Sequence, residues 1–142
     1  MAKDLSAFLA QNAKKIENVH FAASNRFVDE NGKPIEWEIC CITAAENANI
    51  RKACMRSVPV IGKKGQYTQE FDANAYLALA AARCTVFPNL NDGELMASYH
   101  VNGAADLLTT MLTPAEFEDY STKVLEVNGF QTGEEMVEEA KN

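Results

Sequence analysis

Ile35-Glu36-Trp37-Glu38-Ile39-Cys40-Cys41 alternates apolar side chains at Ile35, Trp37, Ile39 and Cys41 with Glu36, Glu38 and Cys40, the period of a strand with one buried face. Upstream, Val19, Phe21, Ala23 and Phe27 alternate with His20, Ala22 and Ser24, and Asn31-Gly32 lies between the two runs. The pattern predicts an antiparallel hairpin. Its register follows from matching the faces. A two-residue turn at Asn31-Gly32 sets Phe27 opposite Glu36, whereas a three-residue loop of Glu30, Asn31 and Gly32 sets Phe27 opposite Ile35, Ala23 opposite Ile39 and Phe21 opposite Cys41. The longer loop also places Gly32 where a left-handed backbone is required. Cys40 and Cys41, adjacent in a strand, are expected to point to opposite faces.

Beyond the hairpin the sequence turns helical and marks most of its helix starts with caps. Leu5, Phe8, Leu9, Ala13 and Ile16 recur at helical spacing behind Asp4, predicting a short amphipathic helix with a narrow apolar face. Thr43-Ala44-Ala45-Glu46 is a capping box, opening a helix expected to run to about Ser57 and to be stopped by Pro59 and Gly62. Asp72 caps an Ala- and Leu-rich helix to Arg83, with Phe71 and Tyr76 placed as a hydrophobic staple. Asn91 with Glu94, and Leu90 with Leu95, repeat these devices, and Asn102 is the expected cap of a helix over 103–112. Thr113-Pro114-Ala115-Glu116 combines a hydroxyl cap, Pro at the first position and Glu at the third, and its helix should stop at Asn128-Gly129. The fold class is therefore α+β: a mostly helical single domain over residues 1–130, with one β-hairpin and five or six helices. Residues 131–142 form an acidic tail expected to be frayed or disordered, with Met136 and Val137 as its large apolar side chains.

The 142 residues are 47% hydrophobic, enough for one core without a disulfide framework or structural metal. The longest apolar run, Tyr76 to Ala82, is far short of a bilayer span, and Asp4 stands where a secretory leader needs positive charge. A soluble intracellular protein with no membrane association is expected. The net charge is −7, and eight of the twenty acids lie in residues 113–142, so nucleic acid is not an expected partner.

Catalytic and ligand constellations are missing at workable spacings. His20 and His100 form no zinc-binding pattern, and Gly62-Lys63-Lys64-Gly65 lacks a phosphate-loop frame and reads as a solvated turn. Ser98-Tyr99-His100 is too tight in sequence to serve as nucleophile and base. Glu36 and Glu38 are the ordinary acids of a solvent-facing strand. Cys40, Cys41, Cys54 and Cys84 have no Cys-x-x-Cys spacing and read as small buried hydrophobes. Phe87-Pro88-Asn89-Leu90 reads as a core plug leading into a helix. No enzyme, metal or cofactor is expected.

Four stretches together resemble the XkdN-like tail assembly chaperones of phages and phage-like prophage elements. They are Leu5-Ser6-Ala7-Phe8-Leu9-Ala10-Gln11-Asn12; Arg26-Phe27 followed by Gly32-Lys33-Pro34-Ile35-Glu36-Trp37-Glu38; Phe87 through Leu95 with Ser98-Tyr99; and Gly103-Ala104 through Met111-Leu112-Thr113-Pro114-Ala115-Glu116-Phe117. The similarity spans about residues 5 to 129; Met96-Ala97 stand where the family often has a glutamine before Ser-Tyr. The resemblance implies a non-catalytic protein of the bacterial host's cytoplasm, required for building a long tail and absent from the mature virion. It implies binding to the tape-measure protein and help in recruiting tail tube subunits. Alternatives are a structural tail component retained in the particle, or a small cytosolic thiol-dependent enzyme or regulator using Cys40 or Cys41.

The expected partner-binding residues are Leu5, Phe8 and Leu9, against the alternative that their helix docks on its own domain. In many long-tailed phages these chaperones also exist in a longer form made by a ribosomal slip. Ala140-Lys141-Asn142 is compatible with the slippery heptamer A-AAA-AAC, which would give a longer form carrying the tube-recruiting segment.

Overall fold

In the computed structural model, which describes residues 4–130, the chain turns at Glu30-Asn31-Gly32 as the matched faces require. Asp29 and Lys33 close the three-residue loop (Asp29 N–H to Lys33 O, 2.8 Å), Gly32 takes φ +79°, and Ile35 N–H donates to Phe27 O at 2.8 Å. Farther from the turn the register changes. Strand β1 (Val19–Phe21) pairs with β2 (Trp37–Ile39) as Val19 with Ile39 and Phe21 with Trp37, so the expected partnerships of Ala23 with Ile39 and Phe21 with Cys41 do not form. Between the two registers residues 22–26 on one arm face Glu36 alone on the other. That excess backbone leaves the sheet to bury Ala23 and Ser24. Because β2 ends at Ile39, Cys40 and Cys41 are not an in-and-out strand pair, and both are half-buried.

After β2, Thr43 caps helix α1 (Ala44–Ala53), its hydroxyl accepting from Glu46 N–H at 3.1 Å. The expected extension to Ser57 does not occur. Strand β3 (Met55–Pro59) follows at once and pairs antiparallel with β4 (Tyr67–Phe71), from Met55 opposite Phe71 to Pro59 opposite Tyr67. A second hairpin therefore joins the one expected, turning through Gly62 and Gly65, both at φ near +80°. Residues 61 to 70 are all exposed, and on the β3 arm only Val58 and Val60 are half-buried, so the ribbon has no fully buried face to mark its strands in the sequence.

Asp72 caps α2 (Ala73–Cys84) through Ala75 N–H, and the Phe71–Tyr76 staple forms with ring centroids 5.7 Å apart. The chain then enters β5 (Thr85–Phe87), a strand absent from the sequence reading, which pairs with β2 to give the order β1-β2-β5. Phe87 is exposed; Leu90 is the buried plug. Helix α3 (Gly93–Ser98) is capped by Asp92 rather than Asn91, and α4 (Ala104–Met111) follows Gly103 at φ +131° with no side-chain cap from Asn102. Each cap position sits one residue along from expectation: Asp92 outcompetes the neighbouring Asn91, whereas at α4 the position falls to Gly103. Helix α5 (Pro114–Val127) has the full capping box and ends in a Schellman turn, with Gly129 N–H to Glu126 O and Phe130 N–H to Leu125 O.

Helix α2 packs on α1, α4 and α5, and its alanines permit close approach. The main core joins Trp37 and Ile39 to Leu107 and Leu108 of α4 and to Tyr120 and Val124 of α5. Trp37 is 1% exposed and meets Tyr120 edge to face at 5.1 Å. Burying the polar tip of Tyr120 is compensated by Thr85 Oγ1 at 2.7 Å, while burial pushes the phenol's pKa up. A smaller cluster of Cys54, Tyr76 and Ala80 anchors the base of the β3–β4 ribbon, where the Arg51 guanidinium lies 4.5 Å over Phe71. The acidic tail and the Ala140-Lys141-Asn142 triplet lie outside the described residues.

Candidate functional site

Leu5, Phe8 and Leu9 do not lie on an amphipathic helix. The segment forms a 3-10 turn over Ser6–Phe8 and a second turn at Asn12 and Ala13, whose N–H groups both donate to Leu9 O. Asp4 caps this turn by accepting from Ser6 N–H at 2.9 Å, which holds its carboxyl below the usual range, and Asn12 Nδ2 donates to Ser6 O at 2.7 Å. A longer helix here has no neighbour against which to bury a stripe, and isolated short helices are marginal in water. The side chains consequently project outward. Leu5 is 70% exposed and Phe8 81%, with Leu9 and Ile16 also exposed. The alternative of docking on the chain's own domain is not what the structure adopts.

Two of the other stretches that carry the family resemblance, at Arg26-Phe27 and at Met111 through Glu116, meet at the start of α5. Glu116, in the first turn of α5, accepts from Thr113 N–H (2.9 Å), from the Ser24 hydroxyl (2.6 Å) and from Arg26 Nη2 (2.8 Å). Arg26 also donates to Met111 O and lies 5.1 Å over the Phe27 ring. Hydrogen bonds to Arg26, Ser24 and Thr113 hold the Glu116 carboxyl down at about 2. The displaced stretch 22–26 is thus fastened to the start of α5. Spacing revealed Glu116 as a capping residue, but no local signal indicated partners 90 and 92 residues away.

A groove of about 190 Å³ runs between α1, α2 and the end of α5, walled by Ile42, Ala80, Cys84, Leu125 and Phe130. Asn128 spans its end, accepting from Ile42 N–H at 2.9 Å and donating to Val124 O at 2.9 Å. Asn128 Nδ2 also donates to Cys84 Sγ at 3.5 Å; burial pushes the Cys84 thiol up to about 11 and likewise raises Cys54. His20 is exposed on β1. His100 occupies a left-handed position at φ +58°, where Val101 N–H reaches Met96 O to close α3, so its backbone serves a helix end. Among the described residues no three His, Cys, Asp or Glu side chains gather as metal ligands, and no helix is long and apolar enough to cross a membrane. The groove offers shape and apolar surface rather than a nucleophile and base.

Comparison with known proteins fits this picture. The chain is 29% identical over 138 residues to the Bacillus subtilis protein YqbN, covering 96% of this chain and 91% of that protein. It is 27% identical over 141 residues to the phage-like element PBSX protein XkdN of the same organism, covering 98% and 94%. The crystal structure of YqbN shares the fold, with a TM-score of 0.77 at 24% identity over 92% of this chain and the whole of that one. The family model for phage XkdN-like tail assembly chaperone proteins matches residues 5–141, and the chain belongs to that family.

Proposed function

We propose that this chain binds the tape-measure protein during tail assembly, keeps it from self-association and helps recruit tail tube subunits to it. The family's role in tail assembly is non-catalytic, and its match over nearly the whole chain is the observation that carries this reading. The geometry supports it. Leu5, Phe8 and Leu9 are exposed on an arm that contributes nothing to either core cluster, so they remain free for an amphipathic helical partner. The protein works in the host cytoplasm and leaves before the particle is complete, with a longer frameshifted form, where made, bringing in the tube subunit.

Co-expression with the tape-measure protein encoded nearby tests the binding. The partner should be soluble and co-purify in the presence of the chain and insoluble without it. Mass spectrometry of purified tails should lack the chain. Its stoichiometric presence there would identify a structural tail component instead.

A further inference from the structure

Residues 47–69, covering most of α1, β3 and most of β4, hold Arg51, Lys52, Arg56, Lys63 and Lys64 and not one acid. The remainder of the chain holds eight basic residues against twenty acids. Arg56 is paired with Glu70 across the ribbon (3.9 Å) and lies 4.0 Å from Asp72, so the uncompensated positive charge of the ribbon is at its tip, Lys63 and Lys64. Lys63 and Lys64 form no ion pair among the described residues, and Ile61 beside them is 99% exposed. A two-stranded ribbon is marginally stable on its own in water, so its bare faces are available to a neighbour.

The complementary surface lies on the same molecule. The exposed stripe of α5 runs through Ala115, Glu118, Asp119, Thr122 and Glu126, at helical spacing. Lys123 pairs with Glu126 at 3.6 Å, leaving Glu118 and Asp119 with no ion pair among the described residues.

We propose that the tip of the β3–β4 ribbon, through Lys63, Lys64 and Ile61, docks on the Glu118–Asp119 face of α5 in a second copy of this chain. The contact joins two different surfaces, so it either repeats head-to-tail, with one ribbon and one α5 face left at the ends of an open assembly, or is made twice in a reciprocal two-fold pair. Charge gives the contact its direction and its salt dependence, and Ile61 gives it an apolar centre. A polyphosphate partner is disfavoured because the rest of the molecule is strongly negative.

Sedimentation of the full chain over a concentration series tests this, with charge reversal at each surface. Wild type should self-associate at low ionic strength and lose at least about tenfold in association constant near 0.5 M salt, where the screening length falls well below 10 Å. K63E/K64E and E118K/D119K should each be monomeric, and an equimolar mixture should associate again, because each variant then meets its complement. Thermal melts matching wild type establish that both variants are folded. Should either melt differently, K63Q/K64Q and E118Q/D119Q take their place, and each must weaken association. A wild type that stays monomeric at low salt overturns the proposal, as do reversed variants that associate like wild type or a mixture that stays monomeric. Binding of a labelled oligonucleotide through Lys63 and Lys64 without self-association also overturns it.

Discussion

The two hairpins of this chain are close in sequence and opposite in what holds them. In the first, Trp37 and Ile39 are buried in the main core and Phe21 and Phe27 pack against it. In the second, Met55, Ser57 and Tyr67 are exposed and only Phe71, at the base, packs against the small cluster around Tyr76. A strand with one buried face must alternate, and alternation is visible in sequence. A ribbon that buries neither face has no such constraint, and its strands leave no alternating mark in the sequence. The N-terminal turn differs again: Leu5 and Phe8 stand at helical spacing, yet the segment finds no face to bury them against and both are exposed.

The largest expected difference between the two hairpins is in stability. Trp37→Ala removes the centre of the core and should cost about 3–5 kcal/mol in urea denaturation. Comparable loss from a substitution at the ribbon tip would end the contrast.

Next in size is the fastening of residues 22–26 to α5. Thr113→Ala removes half of the capping box and should cost about 1 kcal/mol. The same site gives a pH signature. Glu116 is held at about 2 in the folded protein against an ordinary carboxyl near 4.5, so its contribution is fully present above the unfolded value. It is lost as pH falls from about 4.5 through about 2. Glu116→Gln should flatten the stability profile across that window and leave its shape above pH 5 unchanged.

Thiols sharpen the comparison further. Cys84→Ala should cost about 1 kcal/mol for the small gap it leaves. With an aromatic disulfide reagent Cys54 and Cys84 should react only on unfolding, whereas rapid labelling of Cys84 in the native protein would contradict its burial. The smallest effect is expected at the ribbon tip, where Ile61→Ser should change stability by no more than about 0.5 kcal/mol.

What the sequence disclosed follows the same division. The three-residue loop, the Thr43, Asp72 and Thr113 caps and the Schellman end of α5 were legible because each is decided by neighbours within a few residues. The register change after Phe21 was hidden because the stretch it releases is held by partners far along the chain, Ser24 and Arg26 meeting Glu116. Strand β5 was hidden because its three residues gain their partner, β2, only in the folded state. Leu5, Phe8 and Leu9 were singled out on helical spacing that the structure does not adopt, yet their exposure keeps them candidates for the partner surface.

Quantitative co-purification of Phe8→Glu with the tape-measure protein addresses the central claim, that partner binding resides in side chains outside the core. Phe8 touches neither core cluster, so the variant should melt within a degree or so of wild type, in keeping with an exposed substitution of no more than about 0.5 kcal/mol, and should lose most of the bound partner. A folded Phe8→Glu protein that retains the tape-measure protein as wild type does would contradict the assignment.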